Sequence, residues 1–153
     1  MYVFAGLGNP GARYVNNRHN VGYLIAERIV QLNNMGEFRR RSKFFGEVSE
    51  GEIDNNRVLV LKPDTFMNES GRSIGAVLRY YNVTPTQLYV LHDDLDLSFG
   101  KIRIKCGGGH AGHNGLKNVS SHIGSEYWRL RVGIGHPGHK DLVMPYVLQD
   151  FNK

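Results

Sequence analysis

Histidine, aspartate and asparagine side chains are concentrated in four polar stretches of this sequence. The stretches are residues 6–20 (GLGNPGARYVNNRHN), 62–68 (KPDTFMN), 92–96 (HDDLD) and 107–115 (GGGHAGHNG). Each of them follows an apolar run or opens an amphipathic one. In layered α/β folds, ligands bind in the crevice outside the carboxyl ends of the strands, where such loops gather. We therefore expect these four stretches to converge on one cleft.

A histidine and an aspartate in these stretches are typical of general-base hydrolysis. Near pH 7 the imidazole of His19 can accept a proton from water, and a carboxylate such as Asp93 raises its basicity by binding the other ring nitrogen. Asn9, Asn68 and Asn114 are uncharged donors toward a carbonyl or an oxyanion. Each residue also has a structural interpretation, because His19 and the asparagines precede helices or lie in turns.

The sequence HDDLD supports a second interpretation, a metal-dependent phosphohydrolase. Asp94 and Asp96 follow an apolar strand and resemble an aspartate pair that holds Mg²⁺ or forms a phospho-aspartate. Further ligands would come from four histidines, namely His110, His113, His136 and His139. Because no further carboxylate cluster completes the shell of a hard cation, turn residues are the favoured interpretation and no metal site is predicted.

The first stretch, GLGNPG, formally satisfies the dinucleotide-binding pattern G-x-G-x-x-G. That pattern requires a helix directly after the last glycine, so that a pyrophosphate sits on the helix N-terminus. Pro10 removes a backbone donor at this point, and helical periodicity begins only near Val21. The acidic residue that the pattern needs about 20 positions further on is absent as well. The loop therefore serves another purpose than phosphate binding.

The hydrophobic pattern predicts an α/β fold, a single layered domain with a twisted mixed β-sheet flanked by helices. Apolar positions recur at helical spacing over residues 20–33, from about residue 68 to 81, and again after residue 115. Strand-like runs cover residues 1–6, 44–49, 57–61, 87–92, 101–106 and 127–134, with a polar turn at 50–56. Within 101–106, Ile102 and Ile104 alternate with Arg103 and Lys105, so the two pairs lie on opposite faces.

The composition is that of a globular protein, and its positive net charge suggests an anionic partner. The 153 residues carry a formal net charge of +5, and part of it lies in the run RRRSK at 39–43. Such a run is usually a solvated face, so the charge alone does not prove nucleic-acid binding. No apolar run approaches the roughly 18 residues of a membrane span, and no signal peptide precedes the first strand. With its single cysteine, Cys106, the chain is expected to be cytoplasmic and free of internal disulfides.

Five motifs occur in an order and spacing that resemble one family. They are GLGNPG with RHN, KPDTFMNESG, HDDLD, GGGHAGHNGL and RLRVGIGHP. Together they closely resemble the bacterial-type peptidyl-tRNA hydrolases, from residue 3 to about residue 149. The resemblance implies hydrolysis of the ester that joins a peptide to the 3′ end of tRNA, which recycles tRNA from aborted translation. The expected partner is peptidyl-tRNA, with no cofactor and no membrane, and the expected state is a monomer.

The resemblance also implies roles for individual residues. His19 matches the base that activates water, Asp93 matches the carboxylate that stabilises its proton-accepting form, and Asn9 matches a residue that distinguishes blocked from free aminoacyl ends. The other expected substrate contacts are Tyr14, Phe66, Met67, Asn68, His113 and Asn114. Arg103 and Lys105 resemble a phosphate-contacting pair for tRNA.

The end of the sequence departs from the family pattern. The family usually continues with a further helical segment, whereas this sequence stops at Lys153. Residues 1–153 are therefore expected to form one catalytic domain without that segment. This keeps a third interpretation open, a basic RNA-binding module with little turnover. The joint presence of His19, Asp93 and Asn114 argues against it.

Overall fold

Seven strands form one mixed sheet with helices on both of its faces. The computed structural model describes residues 1–151. Its strands are β1 (Tyr2–Gly6), β2 (Arg39–Arg41), β3 (Gly46–Ile53), β4 (Asn56–Pro63), β5 (Leu88–Asp94), β6 (Ile102–Cys106) and β7 (Trp128–Gly133). Its helices are α1 (Val21–Leu32), α2 (Ser70–Tyr81), α3 (Asn114–Ile123) and α4 (Val143–Val147). The strand order across the sheet is β2-β3-β4-β1-β5-β7-β6.

Parallel pairing in the centre of the sheet brings three of the four polar stretches to one edge. β4, β1, β5 and β7 are parallel to one another, whereas β2, β3 and β6 pair antiparallel at the two sides. Residues 58–61 and 90–93 are buried without a break, as in strands covered on both faces. Because the parallel strands end at the same edge, the stretches that follow β1 and β4 lie near HDDLD at the end of β5.

Helices cover the two faces of the sheet and divide the core into two clusters. On one face, Ala26 and Val30 of α1 pack against Val58, Val60 and Leu91. On the other face, apolar residues of α2 and α3 pack over β1, β4 and β5. This cluster includes Val3, Leu59 and Leu61 from the strands and Ile74, Val77, Leu116 and Val119 from the helices. Within residues 1–151, no helix is long and apolar enough to cross a membrane.

The predicted fold class is confirmed, and the strand boundaries differ most in one hairpin. The predicted polar turn at 50–56 is almost entirely strand, since β3 runs to Ile53 and β4 starts at Asn56. Only Asp54 and Asn55 form the turn, and both have positive φ angles of 51° and 66°. A two-residue turn of this kind matches the twist of its strands. Along residues 50–53 of β3, exposed and half-buried positions alternate, so this part of the strand looks polar in sequence.

One edge strand also differs from expectation, and the strand at the other edge leaves two apolar side chains exposed. Residues 39–41, interpreted from sequence as a solvated charge run, are exposed but pair with β3 as the edge strand β2. Charged side chains on an edge strand discourage pairing with another chain. At the opposite edge, Ile102 and Ile104 of β6 stay 49% and 61% exposed, because no described helix covers them.

The start of α1 touches the sheet at a glycine. A Cβ atom built on Gly22 would lie 2.3 Å from the carbonyl oxygen of Leu91 and 2.5 Å from the backbone nitrogen and oxygen of Leu7. These are backbone atoms that cannot move aside cheaply. Since His19 lies one turn before Gly22, this close approach also sets the distance of His19 from β5.

In Gly22→Ala we expect overpacking to cost about 3 kcal/mol, the upper end for an overpacked core site. The better helix propensity of alanine offsets about 1 kcal/mol, so the free energy of unfolding should fall by about 2 kcal/mol. Urea denaturation measures the change. Gly36→Ala is the matched control, because a Cβ there meets only the Glu50 carbonyl oxygen at 3.7 Å. Equal stabilities of the two variants would contradict the close contact.

Candidate active site

A cavity of about 390 Å³ lies where the end of β5, the glycine-rich stretch and α4 meet. Five of the predicted site residues line it, namely His19, Asp93, Lys105, His113 and Asn114. The helix α4 supplies an apolar wall from Val143, Met144 and Val147. A concave site with apolar walls and a few convergent polar groups is the usual form of a substrate pocket.

His19 is fixed by a short turn between β1 and α1. Residues Arg18–Asn20 form a 3₁₀ turn directly before α1, and His19 is buried in it. The amide side chain of Asn20 accepts the backbone N–H of Asn9 and donates to its carbonyl, both at 2.9 Å. This pair of bonds ties the turn to the loop after β1. As a result, Nδ1 of His19 lies 2.7 Å from Oδ2 of Asp93.

A second histidine occupies the other oxygen of Asp93. Nε2 of His113 lies 2.7 Å from Oδ1 of Asp93, while Nδ1 of His113 accepts the backbone N–H of Leu116 at 3.2 Å. His113 is the N-cap of α3, so the helix start fixes its tautomer with the proton on Nε2. Both nitrogens of His113, an expected substrate contact, are therefore engaged within the protein.

The two histidines keep Asp93 ionised. Burial alone would raise the pKa of Asp93, but charge interactions and hydrogen bonds from His113 and His19 hold that pKa well below its usual value. An ionised carboxylate only accepts hydrogen bonds, so Nδ1 of His19 carries the proton. The lone pair of the neutral ring is then on Nε2, as a general base requires.

Asn9 joins the loop after β1 to the segment after β4. Its side-chain oxygen accepts the backbone N–H of Met67 at 2.7 Å, and both residues are buried. Met67, expected to line the cleft, belongs to the core cluster beside α2 and α3. The bond fixes the relative position of two predicted motifs, although neither residue is among those that line the cavity.

Three further expected substrate contacts also lie outside the cavity lining. Tyr14 ends a 3₁₀ turn, Ala12–Tyr14, and is half-buried. Phe66 is 56% exposed and Asn68 is exposed, both beside the turn that leads into α2. They adjoin Asn9 and Met67 along the chain, so they lie on the side where β1 and β4 end.

Four cationic side chains share one face of β6 and β7. The antiparallel register places Arg103 opposite Arg131 and Lys105 opposite Arg129. Like charges directly opposite each other destabilise a sheet unless they are offset. Arg131 is offset by Asp94, whose Oδ2 lies 2.7 Å from Nε of Arg131. Arg103 and Lys105 are exposed, so the face presents positive charge beside the cavity.

Several parts of the site had no clear signal in the sequence. Arg129 and Arg131 occur there only within the motif RLRVGIGHP, without a predicted role, and α4 is not predicted. His92 lines the cavity and is buried, with Nδ1 donating to the Asp93 carbonyl at 2.8 Å. Burial first, and the neighbouring His113 second, lower the pKa of His92 to about 4. Its position next to Asp93 in the strand is the one signal that the sequence offered.

Of the two carboxylates of the metal interpretation, that of Asp94 is bound by the protein itself, whereas Asp96 is exposed. Asp94 accepts from Arg131 and, at 2.8 Å, from the backbone N–H of Asp96. The loop histidines cap their own turns through Nδ1; they are His110, His136 and His139. Within residues 1–151, the one cluster of three potential metal ligands is the set around Asp93 already described. Its 2.7 Å contacts are accounted for as hydrogen bonds.

The fold and the site together define a layered α/β hydrolase with a histidine–aspartate pair at the carboxyl edge of its sheet. The chain belongs to the peptidyl-tRNA hydrolase family, because the model of that family matches residues 3–153. The resemblance found in the motifs is thereby confirmed.

Similar proteins agree in sequence and in structure. The chain is 56% identical over 153 residues to a peptidyl-tRNA hydrolase of Cereibacter sphaeroides and spans 67% of that protein's length. It is 52% identical to the peptidyl-tRNA hydrolase of Azorhizobium caulinodans, of which it spans 74%. A crystal structure of the Acinetobacter baumannii peptidyl-tRNA hydrolase superposes with a TM-score of 0.96 at 40% identity, over 99% of this chain and 77% of that one.

The low pKa of His92 makes the stability of the fold depend on pH. A histidine whose pKa is about 4 when folded and 6.5 when unfolded takes up its proton first in the unfolded state. The free energy of unfolding therefore falls as the pH drops from 6.5 toward 4.

We expect the wild-type protein to lose roughly 2 to 3 kcal/mol more than His92→Asn between pH 7 and about pH 4.5. The asparagine does not titrate, and its amide can still donate to the Asp93 carbonyl. Urea denaturation of both proteins at the two pH values gives the difference. Equal losses would mean that His92 takes up its proton in the folded state as readily as in the unfolded state.

Proposed function

We propose that the protein hydrolyses the ester bond between peptide and tRNA in peptidyl-tRNA and thereby recycles tRNA from aborted translation. The observation that supports this most is the 2.7 Å contact between Nδ1 of His19 and the buried carboxylate of Asp93. It supplies a base with a free Nε2 in a cavity bordered by positive charge. An ester attached to a polyanion is the substrate class that such a site fits.

His19 acts as the base through Nε2. It takes a proton from water while the water oxygen attacks the ester carbonyl, which gives a tetrahedral oxyanion. When the intermediate collapses, the bond to the ribose oxygen breaks and protonated His19 returns the proton to that oxygen. The products are a peptide with a free carboxylate and a tRNA with a free hydroxyl. Because an ester is already activated, a positioned base with oxyanion donors is sufficient for the reaction.

Asp93 and Asn114 support this step in different ways. Asp93 holds His19 in the tautomer with Nε2 unprotonated and stabilises the imidazolium that forms. Asn114 is the first residue of α3 and lines the cavity. Its side-chain amide provides a hydrogen-bond donor for the oxyanion, and the positive end of the α3 dipole stabilises the negative charge.

Substrate binding extends beyond the cavity in this proposal. Asn9, Tyr14, Phe66, Met67 and Asn68 contact the peptide or the tRNA end, and the bond between Asn9 and Met67 keeps their two segments in register. Residues 1–153 act as one catalytic domain. Since translation takes place in the cytoplasm, the protein works there, and it works as a monomer.

His19→Ala tests the proposal directly. We expect its kcat on peptidyl-tRNA to fall by about 10² to 10⁴, because a positioned base contributes on this order. Binding of tRNA and the folded circular-dichroism spectrum should stay unchanged. His122→Ala is the matched control, since His122 is exposed on α3 and outside the cavity lining.

The same assay in the presence of EDTA separates the alternatives. Turnover that persists with EDTA and disappears with His19→Ala supports the proposal. Turnover that EDTA abolishes would identify a metal-dependent enzyme. Binding of peptidyl-tRNA without turnover in the wild-type protein would identify an RNA-binding module.

Arg103 and Lys105 are proposed to bind tRNA phosphates. Replacing both with alanine should raise KM for peptidyl-tRNA and leave kcat little changed. The slope of log affinity against log salt concentration should become less steep by roughly 0.7–0.9 for each phosphate contact that is lost. A minimal ester substrate without the tRNA body should be hardly affected. Initial rates at several salt concentrations measure all of these quantities.

The matched control removes two exposed arginines elsewhere, Arg28 on α1 and Arg57 on β4. It separates a local contact from the loss of net charge. If the double variant of Arg103 and Lys105 hydrolyses the full and the minimal substrate equally poorly, the pair supports the structure of the site, and its assignment to tRNA is wrong.

A further inference from the structure

The glycine-rich stretch reaches the site by crossing a face of the sheet. β6 is antiparallel to β7, so its last residue, Cys106, lies opposite Trp128, where β7 begins. His113 lies at the other end, bonded to Asp93 near the end of β5. Residues 107–112 connect these two positions without helix or strand structure. Gly107 and Gly108 have φ angles of 72° and 99°, which glycine adopts at little cost.

Arg129 of β7 binds this crossing segment along its path. Its NH1 donates to the Gly109 carbonyl at 2.7 Å, and its NH2 donates to the Gly108 carbonyl at 2.8 Å. A longer bond of 3.4 Å joins NH2 to the Ser125 carbonyl. The guanidinium group has donors in a fixed fork, and two successive carbonyls of one chain segment fit that fork.

The guanidinium group of Arg129 is buried and packs on the ring of Tyr127. Arg129 is 2% exposed, and its Cζ lies 4.4 Å from the centroid of the Tyr127 ring. The hydroxyl of Tyr127 is 2.9 Å from Oγ of Ser120 on α3. The described hydrogen bonds of Arg129 all go to backbone carbonyls, which offset its charge in place of a carboxylate. One side chain therefore links β7, the crossing segment and, through Tyr127, α3.

We propose that Arg129 is a positioning residue for the reaction, which acts through residues 107–112 on His113 and Asn114. The proposal rests on the function given above. The crossing segment is rich in glycine and would sample many conformations without an anchor. Its last residue is followed directly by His113, which caps α3 and binds Asp93. Anchoring the segment at Gly108 and Gly109 thus holds the second histidine on the carboxylate that supports the base.

Arg129→Lys and Arg129→Met test this role. Lysine keeps the charge but has a single ammonium group, which cannot bind two carbonyls as a fork, and methionine removes the charge as well. We expect both variants to lose about 10- to 100-fold in kcat, on the full substrate and on a minimal ester alike, because a small displacement of catalytic groups has effects of this size. A lysine variant with near wild-type kcat would overturn the proposal.

The pH–rate profile distinguishes positioning from a general loss of folded protein. When His113 leaves Asp93, the carboxylate acts on His19 alone and favours its protonated form more strongly. The acidic limb of the profile should therefore move to higher pH in both Arg129 variants. A smaller folded fraction would lower the rate and leave the limb in place, and that result would contradict the proposal.

Amide hydrogen exchange gives a readout that does not depend on turnover, so it separates failure of this proposal from failure of the proposed function. Residues 107–113 should exchange at least about tenfold faster in the Arg129 variants, while α1 and β1 keep their protection. Arg18→Lys is the matched control, since Arg18 is also buried, stacks on Tyr146 and donates to its carbonyl at 3.1 Å. Its effect should be confined to residues around 146. Unchanged exchange at 107–113, or loss of protection throughout the protein, would refute the role of Arg129.

Discussion

The buried carboxylate of Asp93 is the group on which the arrangement of the site depends. It lies 3% exposed at the end of β5, and its two oxygens each bind one histidine, His19 and His113, at 2.7 Å. Burying a charge is costly unless it is hydrogen-bonded, so any displacement of either histidine leaves a carboxylate oxygen unsatisfied. Because such a displacement would raise the free energy of the folded state, both imidazole rings are held in place.

The two histidines reach Asp93 from opposite faces of the sheet. His19 comes from the turn before α1, which Gly22 allows to approach the backbone of β1 and β5. His113 comes from the start of α3 on the other side, at the end of a segment anchored by Arg129. The approach of His19 requires a glycine at position 22, where a side chain would collide with the sheet. The approach of His113 requires the guanidinium group of Arg129, which anchors a chain segment that would otherwise be free to move. The site is therefore a product of both helical layers and the sheet between them.

The periodicity of apolar residues predicted most of the helices and strands, and the errors in this prediction have specific causes. Buried strands such as β5 and amphipathic helices such as α1 are visible because their burial is uniform or periodic. The hairpin of β3 and β4 was predicted too short, because residues 50–57 are exposed or only half-buried and look like a loop. The run of arginines at 39–41 became an edge strand only through pairing with β3. Pairing partners lie far apart in sequence, so no local pattern records them.

The sequence by itself determined the family, the main elements and the residue types of the site, because motifs such as RHN and HDDLD carry chemistry that few other residues supply. It also predicted that the four polar stretches converge on one cleft, and the cavity lining includes residues of three of them, 6–20, 92–96 and 107–115. Only the tertiary structure decided that His113 shares Asp93 with His19, and that Met67 packs in the core. The same holds for the buried guanidinium of Arg129 under the glycine-rich segment. These are contacts between elements whose distance and direction depend on how the layers pack, and packing is a property of the whole chain.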